Sequence, residues 1–162
     1  MAAVAITCEA PGWSAIPKLE SLVRRAVDAA LAAEDVELRD DAEVSILLTD
    51  DDAIRDLNTQ WRSKDKPTNV LSFPSVSPDR LHEARSLGDI AIACETVFAE
   101  ANAEAKPVAD HLTHLVVHGV LHLLGRDHEN DEEAEEMEAL ERAILAGLGV
   151  PDPYDVAGAA QE

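Results

Sequence analysis

The stretch His118–His128, HGVLHLLGRDH, holds three of the six histidines in this 162-residue chain. His118 and His122 lie four apart, so on a helix both imidazoles stack on one face and can address a single ion. Gly125 lets the chain turn back after that helix. His128 follows His122 by six residues, near enough to close a third bond. Three His ligands leave one tetrahedral position open, the arrangement of a catalytic rather than a structural zinc. Zinc peptidases place Glu after the first His as general base; here Gly119 stands there. Zinc can polarise a phosphoryl oxygen and lower the pKa of its own water to about 7 without such a neighbour. Without that Glu the set lacks the proton shuttle that peptide hydrolysis needs.

The residues around this core carry open readings. Gly119 costs about 1 kcal/mol relative to Ala inside a helix; it either leaves room for a bulky substrate or permits close packing on a strand. Asp127 either orients the imidazole of His128 or caps the turn. His111 and His114 come one and two turns too early to be ligands and fit a supporting or pocket-lining role. His82 stands alone in a loop and receives no role.

The elements that must position these groups read as α+β. Val4–Ala10 and Glu43–Thr49 are strand-like, Val70–Phe73 is a short strand inside a Pro-broken loop from Trp61 to Arg80, and Gly88–Ala93 is a fourth. Leu19, Leu22, Val23, Ala26, Val27, Ala30 and Leu31 recur at helical spacing. Asp50, Asp51 and Asp52 sit where a helix should begin, as capping carboxylates. A helix is expected from about Glu95 to Ala105. The histidine helix enters at Pro107 and ends at Gly125, and a last helix starts near Asp131. The histidine helix is apolar nearly all round, the mark of a buried helix. The expectation is one domain over residues 1–155, with a mixed sheet of about four strands, about five helices, the histidine helix central, and a frayed tail over 156–162.

Composition narrows the setting. At 46% hydrophobic but 3% aromatic, the core must be mostly aliphatic. Cys8 and Cys94 form no C-x-x-C pair, which excludes a Cys-based zinc site; two lone thiols in a reducing cytosol are expected. The N-terminus lacks a basic n-region and reaches Glu9 quickly, a poor signal peptide. With no 18-residue uncharged apolar run, no membrane span is expected, and the expected location is cytoplasmic.

The sequence around the motif resembles the YbeY endoribonuclease family, whose pattern is H-G-x-L-H-L-x-G-Y-D-H, with Arg126 here in place of Tyr. WRSKDKPTNVLSFP resembles that family's Y-R-G-K-D-K-P-T-[ND]-V-L-S-F-P block, with Trp61 for Tyr and Ser63 for Gly. LGDIAIA, HLTHLVVHG and EEAEEMEALE follow in family order. The resemblance implies a single-strand-specific, metal-dependent endoribonuclease. Such proteins act in ribosomal RNA maturation at the small-subunit 3′ end and in ribosome quality control. It implies one zinc ion held by His118, His122 and His128, and a functional role for Arg62. The partners implied are single-stranded ribosomal RNA and the small ribosomal subunit, with no organic cofactor and no membrane. A zinc peptidase of unusual type and a non-enzymatic assembly factor with a structural metal are the alternatives.

A net charge of -20 sits awkwardly with RNA, because phosphate affinity comes from Lys and Arg. The charge is unevenly spread. Residues 129–141 hold eight acids and no base, most of them read as the solvated face of the last helix. Residues 60–86 hold five bases against three acids. If this loop lines the metal cleft, Lys64 and Lys66 contact phosphate, and Arg126 adds positive charge beside the site. Binding to free RNA should then be weak and salt-sensitive.

Overall fold

The computed structural model describes residues 3–34, 36–127 and 129–154. Strands β1 (Ala3–Cys8), β2 (Glu43–Thr49), β3 (Val70–Pro74) and β4 (Ser86–Ala93) form one sheet in the order β1-β2-β4-β3. β1, β2 and β4 run parallel, and β3 pairs antiparallel with β4 at the edge. Helices α1 (Leu19–Ala33), α2 (Asp51–Arg62), α3 (Cys94–Ala103), α4 (Val108–Leu123) and α5 (Asp131–Gly147) complete the α+β architecture expected.

Strand periodicity sorts the sheet into two unequal faces. Val44, Ile46, Leu48, Ile90 and Ile92 are buried against the apolar stripes of α1 and α4. The opposite face is covered only in part. There α2 lays Ile54 and Leu57 on Leu47, Leu71, Ala91 and Ala93. α4 touches α1, α3, α5, β3 and β4, so the histidine helix is central, as its all-round apolar surface requires.

Element boundaries depart from the sequence in two instructive places. Trp61 and Arg62 belong to the last turn of α2 and not to a loop; the loop begins at Ser63, which caps the helix in the left-handed region at φ 57°. Asp50 starts that helix by accepting from the amide of Ala53 at 2.9 Å, and Ile54, Leu57, Asn58 and Trp61 continue its periodicity. The stretch from Pro151, small and polar enough by sequence to fray, has Tyr154 docked on α5 through Glu141. The tail expected over 156–162 lies outside the described residues. Both cysteines are free, Cys8 exposed and Cys94 buried. Among the described residues no helix is long and apolar enough to cross a membrane.

Candidate metal centre

α4 carries one polar stripe on an otherwise buried cylinder. His111, His114, His118 and His122 follow one another at three- and four-residue steps, with successive ring centroids 6.3, 6.2 and 4.6 Å apart. Buried imidazoles need partners, and α5 supplies the main one. Glu141, fully buried at 0% exposure, meets His114 Nε2 at 2.7 Å and His118 Nδ1 at 2.8 Å. The Tyr154 hydroxyl donates to the same carboxylate at 2.6 Å. Burial pushes the Glu141 carboxyl up. The hydrogen bonds from His114 and His118, with that from Tyr154, outweigh it and pull the carboxyl down to about 2. Burial and the adjacent carboxylate push the Tyr154 phenol upward, so it stays a donor.

An ionised carboxylate only accepts. His118 therefore donates from Nδ1, which leaves its lone pair on Nε2. That atom lies 3.1 Å from His122 Nε2. Two nitrogens each about 2.0–2.1 Å from one tetrahedral ion would be about 3.3 Å apart, so this spacing is close to that of two ligands sharing a metal. His114 likewise spends Nε2 on Glu141, and its buried Nδ1 has no hydrogen-bond partner among the described residues. His111 turns away to Glu100 at 2.8 Å; burial lowers its pKa against the opposing pull of that carboxylate. His114, His118 and Glu141 also bring three ligand-type atoms within 4.8 Å of one another, a group positioned to bind a metal ion. Their separations, though, are those of hydrogen bonds between ring nitrogens and a carboxylate.

Gly125 ends the helix at φ 100°. Its amide donates to the carbonyl of His122 at 3.0 Å, and that of Arg126 to Leu121 at 2.9 Å, which reverses the chain after His122 as expected. A side chain at Gly125 would strike Pro78 at 2.6 Å. His128, the third expected ligand, lies outside the described residues.

Gly119 faces the sheet. A Cβ there would lie 3.0 Å from two carbons of Ile90 and 3.2 Å from Ser72 Oγ. Close packing on a strand accounts for this glycine, and the reading of it as space for substrate is corrected. Arg126 is corrected too: it forms a two-pronged pair with Glu34 at 2.9 and 3.2 Å and approaches Glu136 at 3.5 Å, so its charge is spent locally. His82 is exposed in a short 3-10 turn, Pro78–Glu83.

Arg62 sits at the C-terminal end of α2 with its guanidinium 5.2 Å from the centroid of Phe73. It donates to the Ser72 carbonyl at 2.6 Å, while the Ser72 hydroxyl donates to Gly119 O at 3.3 Å. One residue of edge strand β3 thus ties Arg62 to the helix turn that carries His118. Lys64 and Lys66 are exposed in the following loop, and neither makes an ion pair among the described residues. Other bases near the 60–86 segment are engaged: Arg55 with Asp65, Arg80 with Glu83, and Arg85 with Asp41.

Glu141 and Tyr154 were not singled out by the sequence. Glu141 falls within the acidic run assigned to a solvated face. Its spacing held the signal, because it lies four residues after Met137 and three before Ile144, in the buried stripe of α5.

The chain is similar to known proteins over most of its length. Residues 10–149 match the family model described as endoribonuclease YbeY. A protein named endoribonuclease YbeY from Azorhizobium caulinodans is 57% identical over 149 residues, covering 92% of this chain and 94% of its own. Another of that name, from Bradyrhizobium diazoefficiens, is 56% identical, covering 88% of this chain and 79% of its own. The solution structure of TM1509 from Thermotoga maritima superposes with a TM-score of 0.57 at 26% identity, covering 90% of this chain and 91% of that one. With a matched segment that spans β2, β3 and β4, the histidine helix and all of α5, the chain belongs to the endoribonuclease YbeY family.

Proposed function

We propose that this chain is a single-strand-specific, zinc-dependent endoribonuclease of the cytoplasm. Its role would be in ribosomal RNA processing, at the 3′ end of the small-subunit RNA, and in ribosome quality control. The carrying observation is the 3.1 Å approach of His118 Nε2 to His122 Nε2, with the far nitrogen of His118 engaged by Glu141. An all-imidazole donor set suits zinc among the available divalent ions. In this reading His118, His122 and His128 hold the ion, and His114 and Glu141 hold His118. Zinc bound there supplies a Lewis acid to a phosphoryl oxygen.

The chain's own groups do the rest. Glu141 fixes the tautomer and the ring plane of His118, which puts the lone pair on Nε2, the ligand atom. Phe73 and the Ser72 carbonyl hold the Arg62 head in one plane. A guanidinium has five N–H donors, so those not spent on Ser72 remain for two phosphate oxygens at once. Lys64 and Lys66 add loosely held positive charge along the strand's path. Gly119 rules against the peptidase alternative, since position 119 faces Ile90 and Ser72 and offers no place for a general base beside a ligand.

The test is digestion of a single-stranded RNA, its duplex and casein by the full chain with and without chelator. Cleavage of the single strand alone, lost with chelator, is expected. Casein hydrolysis, or RNA cleavage indifferent to chelator, would overturn the reading.

A further inference from the structure

The sheet face opposite the histidines is only half covered. α2 closes it over Leu47, Leu71 and Ala91 but stops short of the row that crosses three strands at Phe73, Asp89 and Ser45. That row floors an open groove of about 770 Å³, walled by Trp61 and Arg62. The size is that of a small-molecule site, about 300–1,000 Å³. Trp61 is 63% exposed, the exposed large hydrophobic among the described residues. An exposed indole at the edge of a groove offers a large flat apolar face to a planar partner. The Asp89 carboxylate is exposed on the groove floor and makes no hydrogen bond or ion pair among the described residues. Arg62, the basic wall of the groove, has no acidic partner among the described residues either.

We propose that this groove takes a guanine base of a single-stranded RNA. Trp61 offers a π-face on which a base stacks, an interaction that suits an unpaired strand because a paired base has its faces covered. Asp89 then chooses the base. A carboxylate only accepts, and guanine alone among the four presents two adjacent donors, N1–H and N2–H, to match two carboxylate oxygens. Adenine and cytosine present one amino donor flanked by an acceptor, and uracil one imide N–H flanked by carbonyls. Arg62, between the groove and β3, meets the phosphate of that nucleotide. An acidic peptide is disfavoured by Asp89 and a basic one by Arg62, whereas a purine nucleotide satisfies both. The inference rests on the ribonuclease reading of the chain and adds a base preference to it.

The test is a titration of the full-length, metal-loaded protein with the four nucleoside 5′-monophosphates, followed by tryptophan emission. Trp13 is fully buried, so quenching reports Trp61. The phosphate is common to all four ligands, so differences belong to the base. GMP is expected to bind about fivefold or more tighter than AMP, CMP or UMP, the low end for one base-edge contact. Asp89→Asn, an exposed change that should leave the melting temperature unmoved, should erase that preference. Trp61→Ala should weaken a labelled guanine-containing single strand about five- to tenfold by anisotropy, the lower range for one stack. Absence of quenching by every nucleotide overturns the groove as a base site. Equal quenching by all four, unaltered in Asp89→Asn, overturns the guanine assignment. Cleavage of a guanine-free single-stranded RNA checks the ribonuclease reading separately, and its success would leave the groove to be judged on the titration.

Discussion

Glu141 Oε2 meets His118 Nδ1 at 2.8 Å across the contact between α5 and α4, and this pair decides which nitrogen of His118 faces outward. Glu141→Gln keeps the volume but replaces one acceptor oxygen by a donor. One of His114 and His118 must then face an N–H group. Metal affinity is expected to fall about 10–100-fold, the usual cost of losing a partner that orients a ligand. Competition with a chromophoric chelator measures it. Unchanged affinity would mean that His118 needs no support from α5.

Tyr154→Phe tests the docked end of the chain. The phenol donates to the ionised Glu141 carboxylate at 2.6 Å, and a hydrogen bond to a charged group contributes about 1.5–3 kcal/mol. Urea unfolding should show a loss of that order with the slope preserved. A variant as stable as the parent would place residue 154 free of α5 in solution.

Gly119→Ala sets two effects against each other. Helix propensity favours Ala by about 1 kcal/mol. The new methyl, though, meets two atoms of Ile90 at 3.0 Å, and Ile90 is a fully buried core residue. Overpacking of this kind costs about 1–3 kcal/mol, so net destabilisation of about 1 kcal/mol is expected in thermal or urea melts. A more stable protein with altered cleavage would restore the view of Gly119 as substrate space.

Arg62→Ala should keep fold and metal yet lose most cleavage. Arg62→Lys should also be impaired, because an ammonium cannot reproduce the planar fork. Metal content and cleavage measured on the same samples separate the effects. Normal cleavage by Arg62→Ala would remove this residue from the site.

Much of this molecule could be read from residue types and spacing. The histidine helix declared itself through apolar residues on nearly every face and a single polar stripe. The strands Glu43–Thr49 and Gly88–Ala93 did so through short runs rich in β-branched and aliphatic residues. What stayed hidden depends on contacts between distant segments. Glu141 looks like one more acid in a run of eight until α5 is laid against α4 and its buried stripe passes through that position. Arg126 looks like free positive charge until Glu34, 92 positions earlier, closes on it. Gly119 is ambiguous in sequence because only the neighbouring strand decides whether its missing side chain serves substrate or packing. Trp61 and Arg62 were assigned to the loop because the Pro-rich stretch behind them masks the last turn of α2.

Two sets of ligands compete for the ion. One pairs His118 Nε2 with His122 and takes His128 from the sequence motif, and the other groups His114, His118 and Glu141. Elemental analysis of His122→Ala and His114→Ala, purified identically, separates them most directly. His122→Ala should lose the ion and cleavage together, while His114→Ala should retain most of the metal. Retention of the full metal complement by His122→Ala, with its loss from His114→Ala, would contradict the assignment.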